Sequence, residues 1–279
     1  MTTELTTDDK VMVLLDRLAG LSSLAVAFSG GADSALVLAA AVRALGTGRV
    51  LAVTAVSDSL AAEELDVARR FAASLGVRHL LPHTAEAANP GYRANGRDRC
   101  YFCKSEVLDV ITRVAAEHGF ANTATGTNAD DAVDPFRPGI RAADERGVLA
   151  PLRDAGLTKA EVRRTSKAWG LVTWDKPAAP CLASRVAYGV EVTPARLHRI
   201  EAAERVVRDL LVRAGLPVTD LRVRDLGDRV RVELDAGLVP RAADLPGLAP
   251  AVRDAGFHGA QVDVAAFRSG ALNIEPLRS

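Results

Sequence analysis

What most constrains the fold is one alternation near the start of the chain. Ser23–Ser29 reads SLAVAFS, Arg49–Ala55 reads RVLAVTA, and Val77–Pro82 is a third strand candidate. Each has the length and β-branched content of a buried strand. Between them lie an alanine- and leucine-rich stretch ending at Leu45 and a second helix-favouring stretch, Ala61–Leu75. Strand, helix, strand, helix, strand in this rhythm predicts right-handed crossovers and a parallel sheet. A helix over Leu108–Glu117 and a strand over Ala121–Thr127 extend it.

After Pro151 the texture changes. Thr158–Trp169 predicts an amphipathic helix, and Thr173–Gly189 is a loop rich in Pro, Ala and Gly. Pro194–Ala214 predicts a longer helix with Thr193 as its cap. Leu221–Asp225 and Arg229–Leu234 predict paired strands around Gly227-Asp228, a hairpin signal. A last helix and strand are expected to end near Ala266. With a boundary near Tyr188, the expected organisation is an α/β nucleotide domain, 1–187, and a smaller α+β domain, 188–279.

The charge balance limits the partners. Lys plus Arg equals Asp plus Glu at 35 each, so no net field draws the chain to nucleic acid or an acidic membrane. Met1–Lys10 lacks the basic start and apolar core of a secretory signal, and no apolar run is long enough to span a bilayer. Three cysteines in 279 residues are too few for a disulfide framework. The expectation is a cytoplasmic protein that binds neither nucleic acid nor membrane.

Ser29-Gly30-Gly31-Ala32-Asp33-Ser34 stands between the first strand and its helix. Two glycines let the backbone approach a phosphate closely, and successive N–H groups at a helix N-terminus form an anion-binding nest. Ser29 and Ser34 add hydroxyl donors, and Asp33 makes sense if it serves a magnesium ion carried by the phosphates. The plainer alternative is a Gly-Gly turn capped by Asp or Ser. The loop lacks the lysine of a Walker A motif and the spacing of a dinucleotide fingerprint. It resembles the SGGxDS loop of the ATP pyrophosphatase (PP-loop) superfamily. That resemblance implies a nucleotide α-hydrolase-like sheet, ATP cleaved between its α and β phosphates, and adenylate transfer. Gly126-Thr127-Asn128-Ala129-Asp130-Asp131 is similar to the second superfamily motif, which implies nucleotide or metal–pyrophosphate contacts for Gly126 and Asp130. By itself it is equally a turn rich in Asn and Asp.

Asp98–Lys104 contains Cys100-x-x-Cys103, and Cys181 stands alone in Pro180–Arg185. A CxxC pair can be redox-active, half of a zinc site, or two ligands of an iron–sulfur cluster; buried inert thiols are the alternative. The segments RCYFCKSE, TGTNADD, GLTKAEVR, WDKPAAPCLASR, LRVRDLGDRVRVEL and FRSGALN cover almost the full chain. Together they resemble LarE, the sulfur transferase family of nickel-pincer nucleotide synthesis. That resemblance implies adenylation of pyridinium-3,5-biscarboxylic acid mononucleotide and conversion of its carboxylate to a thiocarboxylate. It also implies a homo-oligomer, a trimer or hexamer.

Cys181 matches the family's sulfur-donating cysteine, which one branch sacrifices. That branch lacks the CxxC pair. The likeness here is to the cluster-carrying branch, in which Cys100, Cys103 and Cys181 hold a 4Fe–4S cluster that receives sulfide from a donor. Arg222 and Arg224 alternate on a predicted strand and share a face, so their guanidiniums can grip one phosphate; a solvated strand face is the alternative. By similarity they hold the substrate phosphate, with Ser184 and Arg185 near the reacting carboxylate. Glu204 and Glu233 are weaker candidates for the same site. The five histidines, His79 and His83 among them, form no ligand pattern. Two other functions share these features: a tRNA thiolase with cluster-type cysteines, and an ATP-binding regulator with a structural metal site.

Overall fold

The computed structural model describes residues 5–132 and 138–268. Most of the FRSGALN segment, from Ser269 on, lies outside them. The chain divides into two compact units: residues 1–86 with 100–179, and residues 87–99 with 180–279. The sequence reading divided the chain after residue 187 and did not place 87–99 with the C-terminal part.

The first unit is built on β1 (Leu24–Ala27), β2 (Val50–Val53), β3 (Arg78–Leu80) and β4 (Thr123–Ala124). All pair in parallel, in the order β3-β2-β1-β4. β1 and β2 read as unbroken apolar runs because both faces are covered. The helices Ala32–Leu45 and Ala62–Ser74 occupy the two crossovers. The first of these is apolar nearly all round, with every residue from Ser34 to Ala41 buried. It packs against the sheet and against the helices Thr7–Ala19 and Lys159–Ala168. The helix expected from Leu108 starts earlier, at Arg99, and runs to Glu117. The CxxC pair therefore lies in its first turn. β4 is shorter than Ala121–Thr127, and on its other side Leu149 pairs with it in one parallel bridge, through the Thr125 N–H at 2.8 Å and the Thr123 carbonyl at 2.9 Å.

Helix Thr7–Ala19 was not expected from the polar N-terminus. It begins at a capping box, with Thr6 and Asp9 bonding each other's backbone N–H. Thr158 and Glu161 form a second box at the start of Lys159–Ala168. Glu161 also accepts from Lys10 Nζ at 2.9 and 3.0 Å and from Thr7 Oγ1 at 3.2 Å. Burial pushes the Glu161 carboxyl up, but the bonds from Thr158 and Lys10 outweigh it and bring it down to about 2. A carboxyl depressed in the folded state stabilises the protein above its unfolded value, and that contribution fades as pH falls toward the folded one. Glu161→Gln is expected to cost about 2–3 kcal/mol at pH 7. The deficit should shrink from pH 4.5 downward, as followed by urea unfolding; a constant deficit down to pH 2 would contradict the assignment.

The second unit centres on β5 (Leu221–Asp225), β6 (Arg229–Leu234) and β7 (Gln261–Ala266), in that order. β5 and β6 form the expected antiparallel hairpin, and β7 runs parallel to β6. Gly227 takes φ 94° at the turn, a conformation that side chains resist. Helix Pro194–Arg213 is capped by Thr193 as expected and packs on β5. Segment 87–99 joins this unit through Asn95, fully buried at φ 54°. Its Nδ2 donates to the carbonyls of Ala187 and Val190 at 2.8 and 2.9 Å. Arg99 Nη1 then donates to Asn95 Oδ1 at 2.5 Å and to the Ala183 carbonyl at 2.8 Å. Among the described residues, no helix is long and apolar enough to cross a membrane.

Candidate functional site

In the first unit the chain winds from β1 outward through β2 and β3, then returns to the other side of β1 as β4. The winding reverses between β1 and β4. Loops leaving the carboxyl ends of such a pair diverge and open a crevice, the usual ligand position of an open α/β sheet. The SGGADS loop follows β1 and the TGTNADD segment follows β4.

Gly30 sits at φ 73°, and a Cβ there would meet Ala68 at 3.3 Å. Gly31 is the N-cap of Ala32–Leu45 without a side-chain cap. First-turn N–H groups thus keep their capacity for an anion. Ser34 Oγ accepts from the Ser29 N–H at 3.3 Å, donates to the Gly31 carbonyl at 3.2 Å and lies 3.2 Å from Ser29 Oγ. The loop is also fixed from behind. Thr54 Oγ1 donates to the Phe28 carbonyl at 2.5 Å, so it accepts from His79 Nε2–H at 2.8 Å. Burial, and then the Arg69 charge, push the His79 imidazole down, which favours this neutral form. A Cβ on Gly126 would come 2.6 Å from the Ser34 nitrogen, so the second motif rests directly on the SGGADS loop.

Asp33 is where the two motifs meet. Asn128 Nδ2 donates to its Oδ1 at 3.3 Å, and Lys159 Nζ pairs closely with Oδ2. Asp130 accepts from the Lys159 backbone N–H at 2.8 Å, and Asn128 and Asp131 bond each other's N–H. Lys176 Nζ donates to the Gly30 carbonyl at 3.0 Å. A glycine-lined N–H cradle with two ammoniums and one carboxylate suits a polyphosphate. Magnesium fits as well, because it is commonly held by one or two carboxylates plus the phosphates, without a protein cage. The sequence reading missed Asn128, Lys159 and Lys176. A visible signal was that Lys159 stands inside the T-x-x-E capping box Thr158–Glu161, which fixes its backbone.

Cys100 and Cys103 are three residues apart on helix Arg99–Glu117, and so on one face, the first exposed and the second half-exposed. Cys181, in the second unit, is a free exposed thiol at the head of the short helix Leu182–Arg185. Among the described residues, no group of three or more His, Cys, Asp or Glu side chains is arranged to hold a metal ion.

The remaining site residues gather in the second unit. Arg185 is buried and grips Glu204 through Nε at 3.0 Å and Nη2 at 3.3 Å. Its Nη1 donates to the carbonyls of Pro180 and Cys181 and to Ser184 Oγ. Arg224 pairs with Glu233 at 2.9 Å and donates to the Ser184 carbonyl at 3.0 Å. Glu204 and Glu233 are thus the carboxylates that compensate two buried guanidiniums, rather than solvated charges. Arg222 is half-buried and bonds the Leu221 carbonyl at 2.7 Å. Burial pushes its guanidinium down, with neighbouring Arg185 and Arg224 adding to the effect and Glu204 opposing it. This is surplus positive charge, which an anion would relieve. Arg222 faces Glu233 across the hairpin and Arg224 faces Arg231.

Comparison with known proteins places these features. A family model described as NAD synthase matches residues 13–95. An uncharacterized protein of Synechocystis sp. is 41% identical over 251 residues, 89% of this chain and 91% of that one. The pyridinium-3,5-bisthiocarboxylic acid mononucleotide synthase of Lactiplantibacillus plantarum is 32% identical over 265 residues, 95% of this chain and 94% of that one. The glutamine-hydrolyzing GMP synthase of Parafrankia sp. is 32% identical over 71% of this chain, which is 41% of its own length.

Proposed function

The chain belongs to the LarE family, that of the Lactiplantibacillus synthase, and on that premise we propose that it is an ATP-dependent sulfurtransferase forming AMP and pyrophosphate. Its substrate is pyridinium-3,5-biscarboxylic acid mononucleotide, which it adenylates on a carboxylate and converts to a thiocarboxylate. The observation that carries this reading is the glycine loop at the β1–β4 reversal, with Asp33 held between Asn128 and Lys159.

A substrate carboxylate oxygen attacks the α-phosphorus, and the bond to the bridging oxygen breaks. The departing pyrophosphate is met by the N–H groups of Ser29–Ser34 and by the Lys159 ammonium, while Asp33 and Asp130 order the loop around it. Asp33 would hold magnesium, which would supply neutralisation of phosphate charge. Sulfur then attacks the carbonyl carbon of the acyl adenylate, and the bond to AMP breaks. Arg222 and Arg224 hold the substrate phosphate, Glu204 and Glu233 fix the arginine planes, and Ser184 and Arg185 stand at the reacting carboxylate. The first unit serves ATP, and Ser184, Arg185, Arg222 and Arg224 of the second serve the substrate. The protein acts in the cytoplasm as a homotrimer or hexamer.

Cys100, Cys103 and Cys181 would hold a 4Fe–4S cluster, which would supply the sulfide. Anaerobic reconstitution is expected to give about four irons per chain, and any one Cys→Ser change should remove them. With ATP, sulfide and the mononucleotide, the protein should release pyrophosphate repeatedly, and mass spectrometry should find Cys181 intact. A protein that never binds iron and loses one sulfur from Cys181 after one turnover would show instead that the cysteine is consumed.

A further inference from the structure

The two glycines of the SGGADS loop answer different needs. Gly30 sits at φ 73° against Ala68, so a side chain there is strained. Gly31 sits at φ −81°, which any residue adopts, and a Cβ there would make only ordinary contact with Ser29 Oγ at 3.5 Å. The second glycine therefore has a cost. The peptide plane between two glycines has no Cβ on either side to hold it. Turning it over carries residue 31 to positive φ, which glycine tolerates. A carbonyl oxygen then replaces the Gly31 N–H as the group facing a phosphate.

Lys176 is placed to hold that plane. Its ammonium donates to the Gly30 carbonyl at 3.0 Å and to Glu64 Oε2 at 2.7 Å. The side chain is 16% exposed, and a charge this far out of water needs such partners. Glu64 lies in the first turn of helix Ala62–Ser74, on which Gly30 packs. The Lys176 backbone is fixed in turn. Its N–H donates to the Thr173 carbonyl at 3.2 Å, and its carbonyl accepts from Arg163 Nη2 at 3.1 Å. All of these residues belong to the first unit.

Across a trans peptide, the carbonyl and the N–H that follows it point in opposite directions. With the Gly30 carbonyl turned to Lys176, the Gly31 N–H points away from helix Ala62–Ser74. It donates to no group among the described residues. An ammonium on the carbonyl also polarises the peptide and makes the N–H a stronger donor. We infer that Lys176 is a positioning residue: by holding the Gly30 carbonyl, it keeps the Gly31 N–H turned outward as a donor to the pyrophosphate part of ATP. This deepens the reaction proposed above and rests on its ATP site.

The sequence supplies its own probe, because it contains one Gly-Gly pair. In protein made with glycine labelled by 13C at the carbonyl and 15N at the nitrogen, only Gly31 joins a labelled nitrogen to a labelled carbonyl. One NMR cross-peak thus reports both halves of this peptide. Magnesium pyrophosphate is expected to move the Gly31 N–H downfield. In Lys176→Met the Gly30 carbonyl should move upfield and the Gly31 N–H should no longer respond. Pyrophosphate affinity, by calorimetry, should fall about tenfold to a hundredfold, the scale of one charged hydrogen bond. Lys176→Arg, which keeps a donor for the carbonyl, should retain the response. A Gly31 N–H that still moves in saturated Lys176→Met would overturn the inference and reduce Lys176 to a nearby charge. Should that variant not fold, the unmodified protein decides: a Gly31 N–H that stays put when pyrophosphate binds also overturns it. No mononucleotide is needed, so a failure of sulfur transfer would show separately, as pyrophosphate bound but none released with the substrate. A protein that binds neither pyrophosphate nor ATP would sink the ATP site and this inference together.

Discussion

Replacing Asp33 with alanine is expected to slow substrate-dependent pyrophosphate release by about a thousandfold, or ~4 kcal/mol of lost transition-state stabilisation. Asp33 lies in the first turn of helix Ala32–Leu45, and its carboxylate is shared by Asn128 and Lys159. Its loss costs the fold little. An acidic side chain at a helix N-terminus contributes about 0.3–1 kcal/mol, so the melting temperature should move by a few degrees. The binding of ATP should persist, because the variant frees the Lys159 ammonium to stay on the phosphates. The defect then sits in kcat, and the apparent ATP affinity holds or tightens. An Asp33→Ala protein that turns over at the original rate would remove Asp33 from the chemistry.

The largest expected effect on stability lies in the second unit. The Asp225 side chain is 1% exposed. It accepts from Arg196 Nη1 at 2.9 and 2.8 Å, pairs closely with Arg199, and takes the Gly227 N–H at 3.0 Å. One carboxylate thus bridges two guanidiniums from helix Pro194–Arg213 and closes the β5–β6 turn. Asp225→Ala removes the carboxylate that these two partly buried arginines share, a change that costs about 3–5 kcal/mol. Asp225→Asn keeps an acceptor for Gly227 but loses the charge, and should fall between. Denaturant unfolding followed by hydrogen exchange in residues 194–234 would measure it. Protection there equal to the original protein's would show that the cluster does not hold the unit together.

Much of this was legible in the sequence because it is local. Thr193 caps its helix, the hairpin strands have the expected ends, and the SGGADS loop lies between strand and helix, since each depends on residues a few positions apart. The partners of those residues were not legible. Lys159 is far along the chain from Asp33, and no periodicity connects them. Asp225 read as the end of an alternating strand, although its partners sit on the preceding helix. Glu204 and Glu233 stood as weak candidates for the substrate site, and their pairing with Arg185 and Arg224 was not visible, because nothing in a sequence shows which face an arginine will bury. Asn95 gave no sign of its positive φ, and so segment 87–99 could not be assigned to the later residues.

The strand order has a consequence for how the chain is made. β1 is central, yet one of its two neighbours, β4, comes some hundred residues later in the chain. Synthesis at ~5–20 residues per second leaves one side of β1 uncovered for several seconds after β2 has been delivered. An apolar strand with open N–H and carbonyl groups is a template for pairing with other chains. Truncated products ending before Thr123 should therefore aggregate, and holdase chaperones should engage the nascent chain most strongly between the emergence of β1 and that of β4.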